Sequence, residues 1–185
     1  MSCGAALIFD AATEMVIRGI WQAAAEAGIS AFMHQQPLPP HLTLLVGDSI
    51  DQEGSRAALR PLAAATLPLA IDFHGLGVFP NAQPVVFLSP TPSPALMNLH
   101  AQFWKALAPW VGGASEYDRP GMWAPHVTLG LGLMDGQLPA MIDLLSHYPL
   151  PDAARVMGVI FGDFDHPGSL ERVMLGNLAA QVAIR

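Results

Sequence analysis

Two short segments far apart in this chain nearly repeat each other. Residues 41–44 and 126–129 both read His-x-Thr-Leu, both follow a proline, and both open a run of apolar residues. With seven histidines and five threonines among 185 residues, chance placement gives well under one such triplet, so the matched pair is a specific signal. The apolar runs favour strands. The fold therefore has to place two similar strands, each beginning at a histidine.

Side chains alternate across a strand, so the histidine and the threonine of each segment share one face. In the second segment that face continues only with Gly130 and Gly132, which we expect to leave room for a ligand. Histidine is the usual general acid or base near neutral pH, and a threonine hydroxyl can donate to a phosphate oxygen. The pattern therefore suits in-line attack on a phosphate ester. The alternative is half-buried histidines at sheet edges, with threonines present for strand propensity.

The charge of the chain limits its partners. The net charge is −7, and Lys105 is the single lysine among eight basic residues. Proteins that bind long nucleic acids usually carry a basic stripe, and no stretch here does. If the substrate is a nucleotide, we expect a small nucleotide or an RNA end. With 52% hydrophobic residues the chain has ample material for a core.

The periodicity and the turn residues predict alternating strands and helices. Because a motif strand followed by a helix occurs twice, we predict a duplicated α+β fold of two antiparallel lobes, with the motif strands facing each other across a cleft. We expect the lobes to share one core, so that residues 1–185 form a single bilobal domain. The predicted elements are a strand at 5–9, a helix capped by Asp10 or Thr13 and stopped by Gly28, a loop at 30–40, a helix at 51–59 disturbed by Pro61, a hairpin at 69–79 and 84–89, a helix from Ser93-Pro94 to Gly112-Gly113, a loop at 114–125, a helix near 137–147, and strands near 155–164 and 170–178.

Several chemistries lack their sequence signatures. The chain has no His-Glu-x-x-His, Cys-x-x-Cys or Gly-x-Ser-x-Gly motif, so we expect neither a metal site nor a cofactor. Cys3 is the only cysteine, which fits a reducing compartment. The N-terminus lacks the pattern of a signal peptide, and no apolar run reaches the length of a membrane span. We expect a cytoplasmic monomer that does not bind membranes.

The motifs resemble a known family. Pro39-Pro40-His41-Leu42-Thr43-Leu44 and Trp123-Ala124-Pro125-His126-Val127-Thr128-Leu129 are similar to the two signatures of the 2H phosphoesterase superfamily, which contains 2′-5′ RNA ligase-like proteins and cyclic nucleotide phosphodiesterases. The hairpin around residues 75–88 and the helix at 96–107 resemble the segments between those signatures. The resemblance covers most of the chain. It implies a bilobal fold with the site between the lobes.

The resemblance also implies an activity: metal-independent hydrolysis of a 2′,3′-cyclic phosphate, or the making and breaking of 2′-5′ linkages. His41 and His126 would form the acid–base pair, and Thr43 and Thr128 would hold the phosphoryl group. Many family members place a basic residue just after the first motif, whereas this chain continues Leu45-Val46-Gly47-Asp48. That departure argues against ligation of tRNA halves.

Four further residues are candidates for substrate binding. Tyr117, Trp123 and Phe79 could stack on a base, and Arg119 could supply positive charge from the loop before the second motif. Packing at the core or rim is the alternative for the aromatic residues, and a solvated loop position is the alternative for Arg119. The main rival function is a catalytically idle module of the same fold that binds a nucleotide or an RNA end. The two intact His-Thr pairs favour the enzyme.

Overall fold

The computed structural model describes residues 2–134 and 136–176. Its strands are β1 (Cys3–Phe9), β2 (His41–Gly47), β3 (Ser49–Ile50), β4 (Leu69–Phe79), β5 (Val85–Pro90), β6 (Val111–Gly112), β7 (Val127–Gly130), β8 (Ala153–Asp163) and β9 (Glu171–Met174). Its α-helices are α1 (Ala11–Glu26), α2 (Phe32–Gln35), α3 (Gln52–Ala65), α4 (Pro94–Leu107) and α5 (Gln137–Ser146). Short 3₁₀ turns lie at Ala108–Trp110, Glu116–Asp118 and Pro167–Ser169.

Seven strands form an antiparallel sheet in the order β2-β1-β8-β4-β5-β7, with β9 also paired to β8. The long strand β4 joins two lobes: residues 69–72 pair with β8, and residues 73–79 pair with β5. The two motif strands, β2 and β7, therefore lie at opposite ends of the strand order. This arrangement confirms the predicted bilobal α+β architecture.

Most helix boundaries follow their sequence signals. The Asp10 carboxylate accepts the backbone N–H of Thr13 at 3.0 Å and caps α1, and the Ser93 hydroxyl caps α4 in the same way. Gly28 follows α1 with φ +68°, a conformation that favours glycine. The hairpin of β4 and β5 also lies where the sequence predicts it.

Helix α3 differs from its prediction, because it continues through Pro61 to Ala65. A proline inside a helix costs about 3 kcal/mol. The helix persists because Ser55, Leu59 and Ala63 lie at spacings of four residues and are all buried. Packing against the sheet therefore outweighs the local cost at Pro61.

Other boundaries also differ. The predicted loop 30–40 contains helix α2, and the loop 114–125 contains a 3₁₀ turn. Helix α4 ends at Leu107, earlier than predicted, and the chain then enters the short strand β6, which pairs with β3. The last predicted strand, at 170–178, is observed as Glu171–Met174, and its final two residues lie outside the described residues.

The core lies on both faces of the sheet. The large cluster combines β-strand residues with the inner faces of the four long helices. A small second cluster of Ala6, Ile8, Ile160 and Phe164 covers the other face next to His41. All seven residues of β1 are buried, as expected for a central strand covered on both faces. None of the helices in residues 2–134 and 136–176 combines the length and the apolar content that a bilayer crossing requires.

Candidate active site

The two motif histidines are held by the same local contact. His41 Nδ1 lies 2.8 Å from the carbonyl oxygen of Pro39, and His126 Nδ1 lies 2.9 Å from that of Ala124. A carbonyl can only accept, so Nδ1 carries the hydrogen in both rings. In the neutral form each Nε2 then presents a lone pair, and neither Nε2 has a partner among the described residues. Each imidazole is thus oriented to take or give a proton at Nε2.

Three of the four motif side chains line one pocket. His41, Thr43 and Thr128 border a cavity of about 360 Å³. Neither threonine hydroxyl is engaged by another described residue. Strands β2 and β7 approach each other here, so the side chains of both motifs come together although the strands lie at opposite ends of the sheet.

His126 borders a second pocket, of about 540 Å³, together with Phe79, Tyr117 and Asp118. The two imidazoles interact electrostatically, because the charge of His126 lowers the pKa of His41. His126 lies two residues before Thr128 of the first pocket, and Asp118 of the second pocket accepts the N–H of Val46 from the first, so the two pockets are neighbours, and together they are called the cleft. This arrangement matches the predicted site between the lobes.

The environments of the two imidazoles differ. Burial is the largest cause of the lowered pKa of His41; the Pro39 carbonyl opposes it, and the charge of His126 adds to it. The ring of His41 stacks on Phe164, with the ring centroids 6.1 Å apart. These surroundings favour the neutral imidazole. His126 instead packs against the rings of Phe79 and Phe87, with centroids 5.0 Å and 5.5 Å away.

Two tryptophans anchor the backbone of the motif threonines. Trp123 Nε1 donates to the Thr43 carbonyl oxygen at 2.8 Å, and Trp21 Nε1 donates to the Thr128 carbonyl oxygen at 3.1 Å. Each motif strand is an edge strand, so these carbonyls need partners from outside the sheet. Sequence reasoning missed the role of Trp21, since it reads as part of the apolar stripe of α1.

Trp123 corrects an expectation. Its side chain is only 6% exposed, and its ring stacks on His100 with centroids 3.9 Å apart and planes 5° apart. The face of the indole thus packs on His100 and its Nε1 is bonded to the Thr43 carbonyl oxygen. The ring does not border either pocket. Trp123 stabilises the first motif strand through its hydrogen bond to Thr43, and it is not placed to stack on a base.

We expect Trp123→Phe and Trp21→Phe each to lower the free energy of unfolding by about 1–3 kcal/mol, because each leaves a backbone carbonyl without its donor. Trp104→Phe is the matched control, since the buried Trp104 Nε1 has no hydrogen-bond partner among the described residues. Chemical denaturation of the three variants measures the effect. Equal losses for Trp104→Phe and Trp123→Phe would show that ring volume, and not the hydrogen bond, decides the stability.

The outer edge of β2 is closed by the segment that precedes the second motif and by α4. His100 is fully buried, and its Nε2 lies 3.2 Å from the carbonyl oxygen of Leu44 at a bulge in β2. The Asp118 carboxylate accepts the N–H of Val46 at 3.0 Å. Sequence reasoning singled out neither Asp118 nor any partner for His100. No motif marks these residues, because their contacts join positions 56 and 72 residues apart.

Of the remaining predicted site residues, two border a pocket of the cleft and one does not. Phe79 and Tyr117 both border the His126 pocket, and Tyr117 is 77% exposed there. Arg119 lines neither pocket; its side chain is half-exposed and pairs with Glu116 at 2.9 Å. The structure therefore does not bring the charge of Arg119 to the histidines.

The glycines after the second motif also differ from expectation. Strand β7 ends at Gly130, and Gly132 has φ +69°, so the predicted alternation does not extend that far. A Cβ atom on Gly130 would meet Met141 at 3.4 Å, which places that position against the core and not against a ligand. A Cβ atom on Gly132 would meet no other atom within 4 Å, so that position is open, as expected.

The charges that line the cleft are few. Asp165 borders the His41 pocket and Asp118 borders the His126 pocket, and no lysine or arginine borders either one. Within residues 2–134 and 136–176, no group of three or more His, Cys, Asp or Glu side chains is arranged to hold a metal ion. The positive charge available to a phosphate in these two pockets is that of the histidines.

Residues 18–165 match the family model described as the 2′-5′ RNA ligase superfamily. Over 103 residues the chain is 29% identical to the provisionally named phosphoesterase GK0864 of Geobacillus kaustophilus; the alignment covers 54% of this chain and 56% of that relative. The chain thus matches little more than half the length of this curated relative.

Two solved structures are similar over nearly the whole chain. TT0787 of Thermus thermophilus is 20% identical, with a TM-score of 0.45 and 95% of each chain covered. Usb1 of Kluyveromyces marxianus is 11% identical, with a TM-score of 0.52, and the match covers 94% of this chain and 97% of that one. At this identity the likeness to Usb1 supports the fold alone.

Proposed function

Because the chain belongs to the 2′-5′ RNA ligase superfamily, a group of 2H phosphoesterases, we propose that it hydrolyses the 2′,3′-cyclic phosphate of a nucleotide or an RNA end without a metal. The observation that carries this proposal is the matched geometry of the two motifs. In both histidines Nδ1 contacts the backbone carbonyl oxygen of the residue two positions earlier, which leaves Nε2 available for proton transfer. Three of the four motif side chains border one pocket. Acid–base catalysis requires such an oriented pair.

In the proposed reaction, water attacks the phosphorus atom and one ribose oxygen leaves. One imidazole takes a proton from water at Nε2 as the new P–O bond forms. The other imidazole gives its Nε2 proton to the ribose oxygen as the old P–O bond breaks. The product is a nucleoside 2′- or 3′-monophosphate, or an RNA that ends in a 2′- or 3′-phosphate. Proton exchange with solvent then returns both rings to their starting forms.

The threonines and the aromatic residues have separate proposed roles. The free hydroxyls of Thr43 and Thr128 donate to the phosphoryl oxygens. Phe79 and Tyr117 offer ring surface to a base in the His126 pocket. Since no lysine or arginine borders either pocket, a small substrate with a single negative charge suits the cleft better than a long RNA. The same site chemistry also admits 2′-5′ ligation.

The deciding experiment is a turnover assay. The substrates are the four nucleoside 2′,3′-cyclic monophosphates and an oligonucleotide that ends in a 2′,3′-cyclic phosphate. Release of a 2′- or a 3′-monophosphate identifies the oxygen that leaves. Binding without turnover on any of these substrates would favour the idle binding module.

We expect the rate to follow a bell-shaped pH profile centred near neutrality and to be insensitive to EDTA. The rate falls in acid because the base becomes protonated, and it falls in alkali because the acid loses its proton. Initial rates between pH 4 and 10, with and without chelator, test both points. Loss of activity in EDTA with recovery on adding a divalent ion would contradict the metal-independent mechanism.

A further inference from the structure

The bulge in strand β2 decides which side chains of this strand reach the cleft. Between its pairs with Ala5 and Ala6 of β1, β2 carries one extra residue, Leu44. As a result Leu44 and Leu45 are both fully buried, although they are consecutive. Beyond the bulge, the residue that borders the cleft is Val46, and not Leu45, which strict alternation along the strand would place there. Bulges next to active sites often redirect side chains in this way.

His100 bonds the backbone at this bulge. Its Nε2 donates to the Leu44 carbonyl oxygen at 3.2 Å, on the edge of β2 that no described strand pairs with. The imidazole is fully buried on the inner face of α4, where an apolar side chain would pack without the cost of burying a polar ring. The other buried residues of that face are all apolar: Leu96, Leu99, Phe103 and Leu107. The hydrogen bond to Leu44 therefore accounts for a histidine at this position.

Two residues from the segment before the second motif bond the same edge of β2. The ring of Trp123 stacks on His100, and its Nε1 donates to the carbonyl oxygen of Thr43, the residue before the bulge. After the bulge, the Asp118 carboxylate accepts the N–H of Val46 at 3.0 Å. The backbone of β2 is thus bonded by side chains on both sides of the bulge, and the stack with Trp123 fixes the plane of the imidazole between them.

We propose that His100 is a positioning residue of the candidate active site, because its hydrogen bond to Leu44 fixes the bulge and so directs the Thr43 hydroxyl into the cleft. His100 touches no substrate, since it is fully buried and borders neither pocket. It acts through Thr43, which is joined to Leu44 by one peptide bond. The effect on catalysis rests on the proposed function of Thr43, whereas the effect on the backbone of β2 does not.

His100→Phe is the direct test, because it keeps a ring against Trp123 but removes the donor to Leu44. We expect kcat/KM on a nucleoside 2′,3′-cyclic monophosphate to fall about 10–100-fold, since a small displacement of a positioned group has an effect of this size. His100→Gln keeps an N–H donor near the position of Nε2 and should recover most of the activity. If His100→Phe does not fold, His100→Asn takes its place, because the shorter amide does not reach Leu44.

A double variant tests whether His100 acts through Thr43. Adding His100→Phe to Thr43→Val should cause little further loss of kcat/KM, because both changes remove the same contact with the phosphate. Two independent contributions would instead give losses that multiply. The affinity for the monophosphate product should follow the same pattern.

Leu107→Ala is the matched control for stability. Leu107 is fully buried on the same face of α4, about two turns beyond His100, and its side chain has no polar group to bond with β2. This variant should lower the melting temperature, because it leaves a cavity in the core. Its kcat/KM should be unchanged at temperatures where the protein is folded.

Amide hydrogen exchange, followed by NMR, tests the contact at the bulge without a substrate. The Val46 N–H is bonded beside the bulge, so it exchanges when this part of β2 opens. Relative to the amides of β1, its exchange should be about 10-fold faster in His100→Phe and unchanged in His100→Gln and Leu107→Ala.

The outcomes separate this inference from the proposed function. Unchanged kcat/KM in His100→Phe, equal losses in His100→Phe and His100→Gln, or a loss that multiplies fully with that of Thr43→Val would each overturn the positioning role. Unchanged relative exchange of the Val46 amide would overturn the contact on which that role depends. If the unaltered protein neither hydrolyses a cyclic phosphate nor binds the product, the proposed function fails. The exchange measurement then still decides whether His100 fixes the bulge.

Discussion

Replacing either motif histidine by alanine should reduce turnover of a 2′,3′-cyclic phosphate by about 10²–10⁴-fold, the usual contribution of one proton-transfer group. Nucleotide binding should remain largely intact, because the threonine hydroxyls and the aromatic surface of the cleft are unchanged. His41 and His126 act in one step, so the double variant should be little slower than either single variant. Steady-state kinetics together with calorimetric titration of a nucleoside monophosphate measure the two effects separately.

His74→Ala is the matched control for these variants. His74 is exposed on β4 and borders neither pocket of the cleft. We expect this variant to retain full activity. A fully active His41→Ala or His126→Ala protein would contradict the acid–base mechanism, whatever the fold.

Removing a motif hydroxyl should affect both binding and turnover. Thr43→Val and Thr128→Val keep the branched shape and the strand propensity but lose the donor. A hydrogen bond to a charged group contributes about 1.5–3 kcal/mol, so we expect kcat/KM to fall about 10–100-fold for each variant. The affinity for the monophosphate product should fall as well, which distinguishes these variants from those of the histidines.

Thr43→Ser and Thr128→Ser keep the hydroxyl and should recover most of the activity. Thr66→Val is the control at a distance, because the Thr66 hydroxyl donates to the Leu62 carbonyl at the end of α3. Unaltered product affinity in both motif variants would show that the hydroxyls do not contact the phosphate.

The family resemblance and the bilobal α+β fold could be predicted from the sequence because both depend on local pattern. The repeated motifs, the caps at Asp10 and Ser93 and the hairpin signal each lie within a few residues. The family match and the sheet order confirm these predictions. Local signals gave the wrong helix boundary where tertiary packing decides it. Pro61 predicts a disturbed end of α3, but the helix continues to Ala65 because its buried face packs in the core.

The candidate site was only partly predictable. His41, Thr43 and Thr128 border one pocket, as their shared pattern suggested. Trp123 and Arg119, which the sequence offered as substrate contacts, are engaged by His100 and Glu116. Sequence position cannot separate an aromatic ring that lines a cleft from one that supports it, because the chemistry of the side chain is the same in both places.

The sequence by itself determined which atoms can exchange protons with a substrate, since residue type and alternation along a strand are local properties of the chain. Only the tertiary structure decided how the two imidazoles differ. His41 is desolvated beside Phe164, whereas His126 packs against Phe79 and Phe87 in a neighbouring pocket that Asp118 also borders. Solvation and charge depend on distances in space, and folding alone brings these residues together.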